Sequence, residues 1–333
     1  MDPLAIFIFI FGAMVGSFLN VCIVRLPQSK SIVFPSSHCV SCQKPIAWID
    51  NVPLLSWVLL GGKCRSCKAP ISFRYWLVEL ITALGFLGFY LYFGFTPLLG
   101  VYLVMLSCFI VATFVDFKER IIPDEVSVGG LFVGIFLSAI VPQMHPVNLS
   151  NVYLSSFLAG LIVVLCIALM SIYPFFCKHL MDPKEDPQAD RGIKILVLSS
   201  LFAIALINWG LHYMPVAWAP YALSISASLS GYLIGGGIIY AMGLIGDIIF
   251  RKESMGGGDV KLMALVGAFL GWEMAVLAFF IAPFFGVVYG VVEKIRTKDS
   301  AIAYGPFLVL ASLVSLFWGE RIIRWVITGG MSF

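Results

Sequence analysis

The sequence predicts an all-α polytopic membrane protein with about 8–10 transmembrane helices and a small zinc-stapled cytoplasmic loop domain. Composition is the first observation behind this fold class: of 333 residues, 60% are hydrophobic and 12% are charged, against about 25% charged in soluble domains. The second is that long apolar runs recur along the chain, and the third is that basic residues gather between alternate runs. The net charge of +3 indicates no nucleic-acid partner.

The predicted spans are the apolar runs of roughly 17 to 25 residues. They lie near residues 4–24, 76–94, 98–115, 124–141, 153–177, 193–212, 219–249, 260–272, 274–292 and 302–320. The first run has no basic segment before it and no Ala-x-Ala site after it, so we interpret it as a retained span rather than a signal peptide. Gly271, Pro283 and Gly286 interrupt the eighth and ninth runs, which leaves half-helices or one interrupted hairpin as alternatives to full spans.

The basic residues predict the orientation, because short cytoplasmic loops retain Lys and Arg. Nineteen of the 21 fall on alternate loops, whereas loops 142–152 and 212–220 contain no Lys, Arg, Asp or Glu. We therefore predict that the N-terminus lies outside and that the loop 25–75 and the glycines 256–258 face the cytoplasm.

Two CxxC pairs lie in the loop 25–75, formed by Cys39 with Cys42 and by Cys64 with Cys67. Pairs at this spacing can present four thiolates tetrahedrally to Zn²⁺. The alternatives are two disulfides or four unligated thiols, and a reducing cytoplasm disfavours disulfides. Because four protein ligands leave no position for water, the predicted zinc is structural.

Two aspartates at the predicted cytoplasmic membrane edge are candidates for chemistry. Asp116 falls at the C-terminal end of a span, where the partial negative charge of the helix disfavours a carboxylate. Asp259 follows three glycines that allow another backbone to approach closely, and an acid at the edge of a membrane is costly without a task. The alternative for Asp259 is simple N-capping. Asp124 directly follows Pro123 and falls in the first turn of a predicted helix, where an acid is favourable. A capping role therefore explains its presence adequately.

Asp116 and Asp259 form an aspartic-protease arrangement if they meet across the bundle. One carboxylate then holds a proton while the other stays ionised, takes a proton from water and so activates it, and the protonated acid polarises the scissile carbonyl. The helix ends favour Asp259 as the ionised member of a coupled pair. The alternatives are a proton-coupled transporter, disfavoured because the acids gather at one membrane edge, and a non-catalytic assembly scaffold.

Short motifs surround these residues. They are Gly16-Ser17-Phe18-Leu19-Asn20-Val21 to Arg25-Leu26-Pro27, the two CxxC pairs, Asn51-Val52-Pro53 to Ser56-Trp57, Ile71-Ser72-Phe73-Arg74-Tyr75 with Glu79, Val115-Asp116 to Ile122-Pro123-Asp124, and Glu253 to Lys261. With these motifs the chain resembles the type IV prepilin peptidases, which are bifunctional leader peptidases and N-methyltransferases of the GxGD aspartic group.

The resemblance implies that Asp116 and Asp259 are catalytic. The supporting residues are Gly256, Gly258, Asp124 and Lys261. The implied partners are the basic leader, cut after Gly, and the transmembrane helix of prepilins or pseudopilins, in a type IV pilus or a protein secretion system. S-adenosylmethionine is the implied methyl donor; the residues that bind it are unknown, and a peptidase without methylation is an alternative.

The implied location is the bacterial inner membrane, with lipid around the spans, the active site at the cytoplasmic face and homo-oligomerisation left open. The predicted domains are a first helix (1–24), a methyltransferase-associated zinc loop (25–75) and a multi-span peptidase domain (76–333). An inserted region of about 141–244 lengthens the last of these.

Overall fold

The computed structural model describes residues 2–146, 149–176, 187–251, 254–297, 303–327 and 329. In this part of the chain the regular elements are helices, accompanied by short 3-10 turns and two isolated β-bridges. Seven of the helices are long and apolar enough to cross a membrane. The structure therefore confirms an all-α polytopic membrane protein, and its helices divide between two compact units, Met1–Pro123 and Asp124–Phe333.

The first unit holds a helical bundle and the cysteine-containing loop. Its helices are α1 (Pro3–Arg25), α2 (Leu55–Leu59), α3 (Phe73–Phe93) and α4 (Pro97–Glu119). The α1 helix packs closely on α3: a Cβ added at Gly16 would lie only 2.8 Å from the Glu79 Cα, so the absence of a side chain at Gly16 permits this contact. The loop between α1 and α3 contains α2 and both CxxC pairs.

The second unit is a larger helical bundle. Its described helices are α5 (Asp124–Ile140), α6 (Leu149–Phe176), α7 (Pro187–Gly210), α8 (Ala219–Phe250), α9 (Gly257–Leu270), α10 (Trp272–Thr297) and α11 (Gly305–Ile327). A shared apolar core joins five of them, with Leu131 from α5, Ala159 from α6, Ile204 from α7, Leu233 from α8 and Ala264 from α9. One continuous apolar core thus extends across α5, α6, α7, α8 and α9.

The predicted insertion of about 141–244 is part of that packing. It contains α6, α7 and most of α8. Asn208 on α7 donates from Nδ2 to the Ser156 Oγ on α6 at 2.9 Å, and Ser226 on α8 donates from Oγ to the Asn208 Oδ1 at 3.2 Å. The Asn208 side chain therefore links α6, α7 and α8.

The connector predicted at Lys178 to Lys194 is only partly described. Residues 177–186 lie outside the described residues, and α7 begins at Pro187, before the predicted start of the span near 193. Lys252, Glu253 and Lys298, which belong to predicted basic loops or motifs, also lie outside them.

The interrupted runs near the C-terminus resolve into one short helix and one long helix. Gly271, with φ of +81°, separates α9 from α10. The 14 residues of α9 span about 21 Å, which is shorter than a hydrocarbon core of about 30 Å. Pro283 lies inside α10, and the helix continues through it; α10 has 26 residues in all. The two compact units are divisions of the structure. The functional domains 1–24, 25–75 and 76–333 stay predictions.

The closest helix contact of the second unit is between α8 and α9. A Cβ at Gly231 would overlap the Gly267 carbonyl, and a Cβ at Gly267 would overlap the Gly231 carbonyl. Small residues of this kind let helix backbones approach in membranes, where packing rather than hydrophobic burial drives association. The pair fixes α9 against α8.

Gly267→Ala is expected to destabilise the protein, because the added methyl group must push two helix backbones apart. The expected loss is about 1–3 kcal/mol, as for other overpacked sites, measured as a lower thermal unfolding temperature in detergent. The matched control is Gly129→Ala on α5, where a Cβ meets nothing within 4 Å. Equal unfolding temperatures for the two variants would contradict the close contact.

Candidate active site and metal centre

Asp116 lies in the last turn of α4. Arg120 adopts the left-handed conformation, with φ of +55°, and donates its backbone N–H to the Asp116 carbonyl at 3.0 Å, which ends the helix. Asp116 is buried, with only 6% of the residue exposed. The structure thus confirms the predicted placement at a C-terminal helix end, which is the unfavourable end for a carboxylate.

Asp259 lies in the first turn of α9. The helix starts at Gly257, its N-cap residue is Gly256, and the Asp259 N–H bonds to the Gly256 carbonyl at 3.1 Å. Asp259 is therefore not the N-cap residue, in contrast to the capping alternative. Its carboxylate is half-buried at the positive end of the helix, which favours a negative charge.

The glycines leave the space beside Asp259 open. A Cβ at Gly257 would meet no atom within 4 Å, and a Cβ at Gly256 would meet only the Asp259 Oδ2, at 3.8 Å. An extended chain can therefore approach the carboxylate from this side without a side chain in its way.

Tyr304, directly before α11, lies within electrostatic reach of Asp259. Burial and, secondarily, the charge of Asp259 raise the pKa of Tyr304 to about 12, so the phenol keeps its proton and can donate a hydrogen bond. A Cβ at Gly286 on α10 would lie 3.6 Å from the Tyr304 Cε2, which shows that the ring packs on α10. Sequence reasoning missed this residue, since an aromatic side chain before a span has no distinguishing spacing.

Lys261 and Asp124, both predicted as supporting residues, come together. The Lys261 Nζ lies 2.6 Å from the Asp124 Oδ1, joining the first turns of α9 and α5. Both side chains are well exposed, so an ion pair of this kind contributes at most about 1 kcal/mol. Its main effect is to hold the first turn of α9 close to the first turn of α5.

The two CxxC pairs form matching backbone turns. In the first, Cys39 donates its N–H to the Lys44 carbonyl and accepts from the Gln43 N–H; in the second, Cys64 bonds to Ala69 and Lys68 in the same way. Gln43 and Lys68 have φ of +58° and +61°. Each turn thus points its two thiols to one side.

The four cysteine sulfurs converge on one point. All lie within 4.8 Å of one another, and the Sγ atoms of Cys39 and Cys67 are 3.7 Å apart. Tetrahedral Zn²⁺ with Zn–S bonds of about 2.3 Å needs sulfurs about 3.8 Å apart, so this cluster fits the ion. Backbone N–H groups of Cys42 and Ser41 lower the pKa of Cys39 to about 6, which favours its thiolate. Although the Ala69 N–H lowers the pKa of Cys67, desolvation and the three neighbouring cysteines together raise it to about 11.

Glu79 on α3 anchors the cysteine-containing loop to the bundle. Its Oε2 accepts the backbone N–H of Leu54 at 2.8 Å, where Leu54 has φ of +63° directly before α2. Nearby, Asn20 on α1 donates from Nδ2 to the Tyr75 carbonyl at 2.9 Å. Three sequence motifs that are far apart in the chain therefore meet at this anchor.

Asp116 and Asp259 belong to different compact units, the first to Met1–Pro123 and the second to Asp124–Phe333. The structure brings together the four cysteines in one unit and Asp259, Lys261, Asp124 and Tyr304 in the other. The meeting of the two predicted catalytic aspartates stays a prediction.

Two protein-family models match parts of this chain. Residues 10–93, which include the cysteine cluster and Glu79, match the bacterial peptidase A24 N-terminal domain. Residues 192–291, which include Asp259, match the type IV leader peptidase family. No solved structure matches the chain.

Curated relatives align with most of the chain. A prepilin leader peptidase/N-methyltransferase of Aeromonas salmonicida is 26% identical, covering 96% of this chain and 93% of the relative. One of Myxococcus xanthus is 30% identical, covering 88% and 64%. The type 4 prepilin-like proteins leader peptide-processing enzyme of Escherichia coli is 27% identical, covering 92% and 91%. With both family models matched and full-length relatives of one kind, this chain belongs to the type IV leader peptidase family.

Proposed function

We propose that this chain is a membrane aspartic endopeptidase that removes the basic leader of prepilins and pseudopilins after Gly and then N-methylates the new N-terminal residue. Asp259 carries the proposal: it is a carboxylate at the positive end of a helix, beside glycines that leave room for a peptide backbone. The names of the relatives, which combine leader peptidase and N-methyltransferase, support both activities.

Asp116 and Asp259 act as the catalytic pair. Asp259 begins ionised, because the N-terminal end of α9 stabilises its charge, and takes a proton from the attacking water. Asp116 begins protonated, at the C-terminal end of α4, and donates a hydrogen bond to the scissile carbonyl. As the tetrahedral intermediate collapses, the proton held by Asp259 passes to the leaving amine. The pair titrates as a unit rather than as two independent acids.

The substrate reaches this pair from the cytoplasmic side. The N-terminus of the enzyme lies outside, so the basic loops and the start of α9 lie inside, where a basic leader is retained. The leader lies along the glycines 256–258, and its Gly residue lets the scissile bond approach Asp259. Lys261, paired with Asp124, holds the first turn of α9 in position.

Zinc is structural in this proposal. Cys39, Cys42, Cys64 and Cys67 would hold it with no position left for water, so it takes no part in cleavage. Its role is to staple the loop 25–75, which is too small for an apolar core of its own.

S-adenosylmethionine supplies the methyl group, and methylation is assigned to the loop 25–75. A cavity of about 380 Å³ beside α1 and α4 is lined by apolar side chains such as Phe7, Phe11 and Leu103. Such walls do not suit the polar ribose and amino-acid groups of this donor, so no residues are assigned to it.

Purified protein incubated with a prepilin-like peptide and a labelled methyl donor is expected to give a shortened peptide that carries the label. Cleavage without label would identify a peptidase that does not methylate. The absence of both cleavage and label would contradict the proposed function, provided that the thermal unfolding profile shows a folded protein.

Asp116→Asn and Asp259→Asn are each expected to lower the rate of cleavage by at least about 10³-fold, since either change removes one half of the proton-sharing pair. Labelling of a peptide that is already cleaved should continue, because the methylation site lies elsewhere. Glu125→Gln, which changes an exposed acid in the first turn of α5, is the matched control and should cleave normally. Near-normal cleavage by either aspartate variant would contradict the catalytic pair.

Metal analysis of fresh protein is expected to find about one zinc ion per chain, as four cysteine ligands complete one site. A Cys39→Ser, Cys64→Ser double variant should lose it, because each turn then retains a single thiolate. Cys166→Ser on α6 removes a thiol that lies outside the cluster and should keep the metal. A wild-type protein without zinc would refute the assignment.

A further inference from the structure

The loop before Asp259 rests on a flat face at the end of α8. Gly243, Gly246 and Asp247 share this face, spaced three and four residues apart. A Cβ at Gly246 would lie 2.5 Å from the Ser254 Oγ, and a Cβ at Gly243 would lie 3.5 Å from the Met255 Cβ. The two glycines therefore let the loop lie directly against the helix.

Asp247 binds this loop through its side chain. The Asp247 Oδ1 accepts the Ser254 backbone N–H at 2.7 Å. The Ser254 hydroxyl lies 2.8 Å from the same oxygen and 2.9 Å from the Gly243 carbonyl, and its single proton is shared between these acceptors. One residue of the loop is thus held by its amide and its hydroxyl together.

A carboxylate at the position of Asp247 is energetically unfavourable unless it makes compensating interactions or has a function. It lies in the last turn of α8, where the helix end disfavours a carboxylate. Its own carbonyl accepts the N–H of Arg251, at 2.8 Å, where φ of +52° ends the helix. Asp247 therefore ends α8 with its backbone and fixes the following loop with its side chain.

The inserted region reaches the same carboxylate. Tyr173 on α6 donates from its hydroxyl to the Asp247 Oδ2 at 3.4 Å, a long hydrogen bond. Each oxygen of Asp247 thus has a partner, one from the loop and one from the insertion.

The loop leads directly into the first turn of α9. Ser254 precedes the N-cap residue Gly256 by two positions and Asp259 by five. At the other end of α9, the contact of Gly267 with Gly231 already fixes the helix against α8. At the start of α9, the Lys261–Asp124 pair provides an exposed link to α5, and the bond of Ser254 to Asp247 adds a link to α8.

We propose that Asp247 is a positioning residue for peptide cleavage: by holding Ser254 against α8, it fixes the start of α9 and with it the Asp259 carboxylate. Tyr173 orients Asp247 and gives the inserted helix α6 a part in the same support. This inference rests on the proposed catalytic role of Asp259.

Asp247→Ala tests the proposal directly. It is expected to lower kcat for a prepilin-like peptide by on the order of 10–10²-fold, with KM changed by less than about twofold, because a misplaced catalytic group slows the chemical step. The Ser254 amide should also lose hydrogen-exchange protection, while amides inside α9 keep theirs. Glu320→Ala, which removes an exposed acid of α11, is the matched control and should leave both readouts unchanged.

Asp247→Asn separates positioning from a role for the charge. Its amide oxygen can still accept the Ser254 N–H, so this variant should retain kcat within about threefold of wild type. It should also keep the protection of that amide. An Asn variant as slow as the Ala variant would overturn the positioning role and assign the effect to the charge itself.

Ser254→Ala and Tyr173→Phe keep the test informative if Asp247→Ala fails to fold. Each removes a single hydroxyl at the margin of the network, and each is expected to lower kcat by about two- to fivefold. Normal kcat in both variants would overturn the inference in that case.

Asp259→Asn, measured alongside, distinguishes the two levels of the proposal. If Asp259→Asn is inactive and Asp247→Ala cleaves like wild type, the positioning role fails and the catalytic role stands. If Asp259→Asn cleaves normally, the catalytic role fails, and the positioning role of Asp247 fails with it. Lost amide protection at Ser254 with unchanged kcat would show a bond that is real but irrelevant to catalysis.

Discussion

The close approach of α8 and α9 is the constraint on which the second unit depends. In lipid, apolar surface gains little from facing other apolar surface, so helices associate through backbone contact and hydrogen bonds. Gly231 and Gly267 bring the two backbones together, and Ser228 on α8 donates to the Ala268 carbonyl at 2.9 Å. Because α9 is too short to cross a bilayer alone, α8 defines where its first turn, and therefore Asp259, lies.

Four aspartates fall into two groups according to the end of the helix at which they lie. Asp124 and Asp259 stand in first turns, where a negative charge is favourable, whereas Asp116 and Asp247 stand in last turns, where it is not. Asp116 and Asp247 share a backbone device: in each case the arginine four residues later adopts positive φ and donates its N–H to the aspartate carbonyl. An acid at such a helix end gains nothing from the helix itself. We therefore propose a task for each outside its own helix: hydrogen-bond donation to the scissile carbonyl for Asp116 and support of the loop for Asp247.

Local chemistry was predictable from the sequence, whereas contacts between distant segments were not. The two CxxC turns follow from the spacing within each pair, and the convergence of their thiols in one four-cysteine cluster was predicted correctly. The positions of Asp116 and Asp259 at opposite helix ends follow from where apolar runs stop. The Lys261–Asp124 pair joins residues 137 positions apart, and no periodicity indicates such a contact. Asp247 is one of the acids that the sequence places at the cytoplasmic membrane edge, but the sequence assigns it no role, because its partner, Ser254, becomes a neighbour only after α8 ends and the chain turns back.

Polar atoms, more than apolar ones, determine how α6 and α7 pack along α8. In an apolar medium a hydroxyl or amide must find a partner, so a few such groups specify how otherwise similar helices register. Tyr232 on α8 donates to the Ser200 Oγ on α7 at 3.1 Å, and the Ser230 hydroxyl on α8 lies 3.0 Å from the Ser155 Oγ on α6. The first bond links α7 to α8 and the second links α6 to α8, and the position of α6 along α8 brings Tyr173 to Asp247. The predicted insertion of about 141–244 is thereby connected to the loop that leads to Asp259.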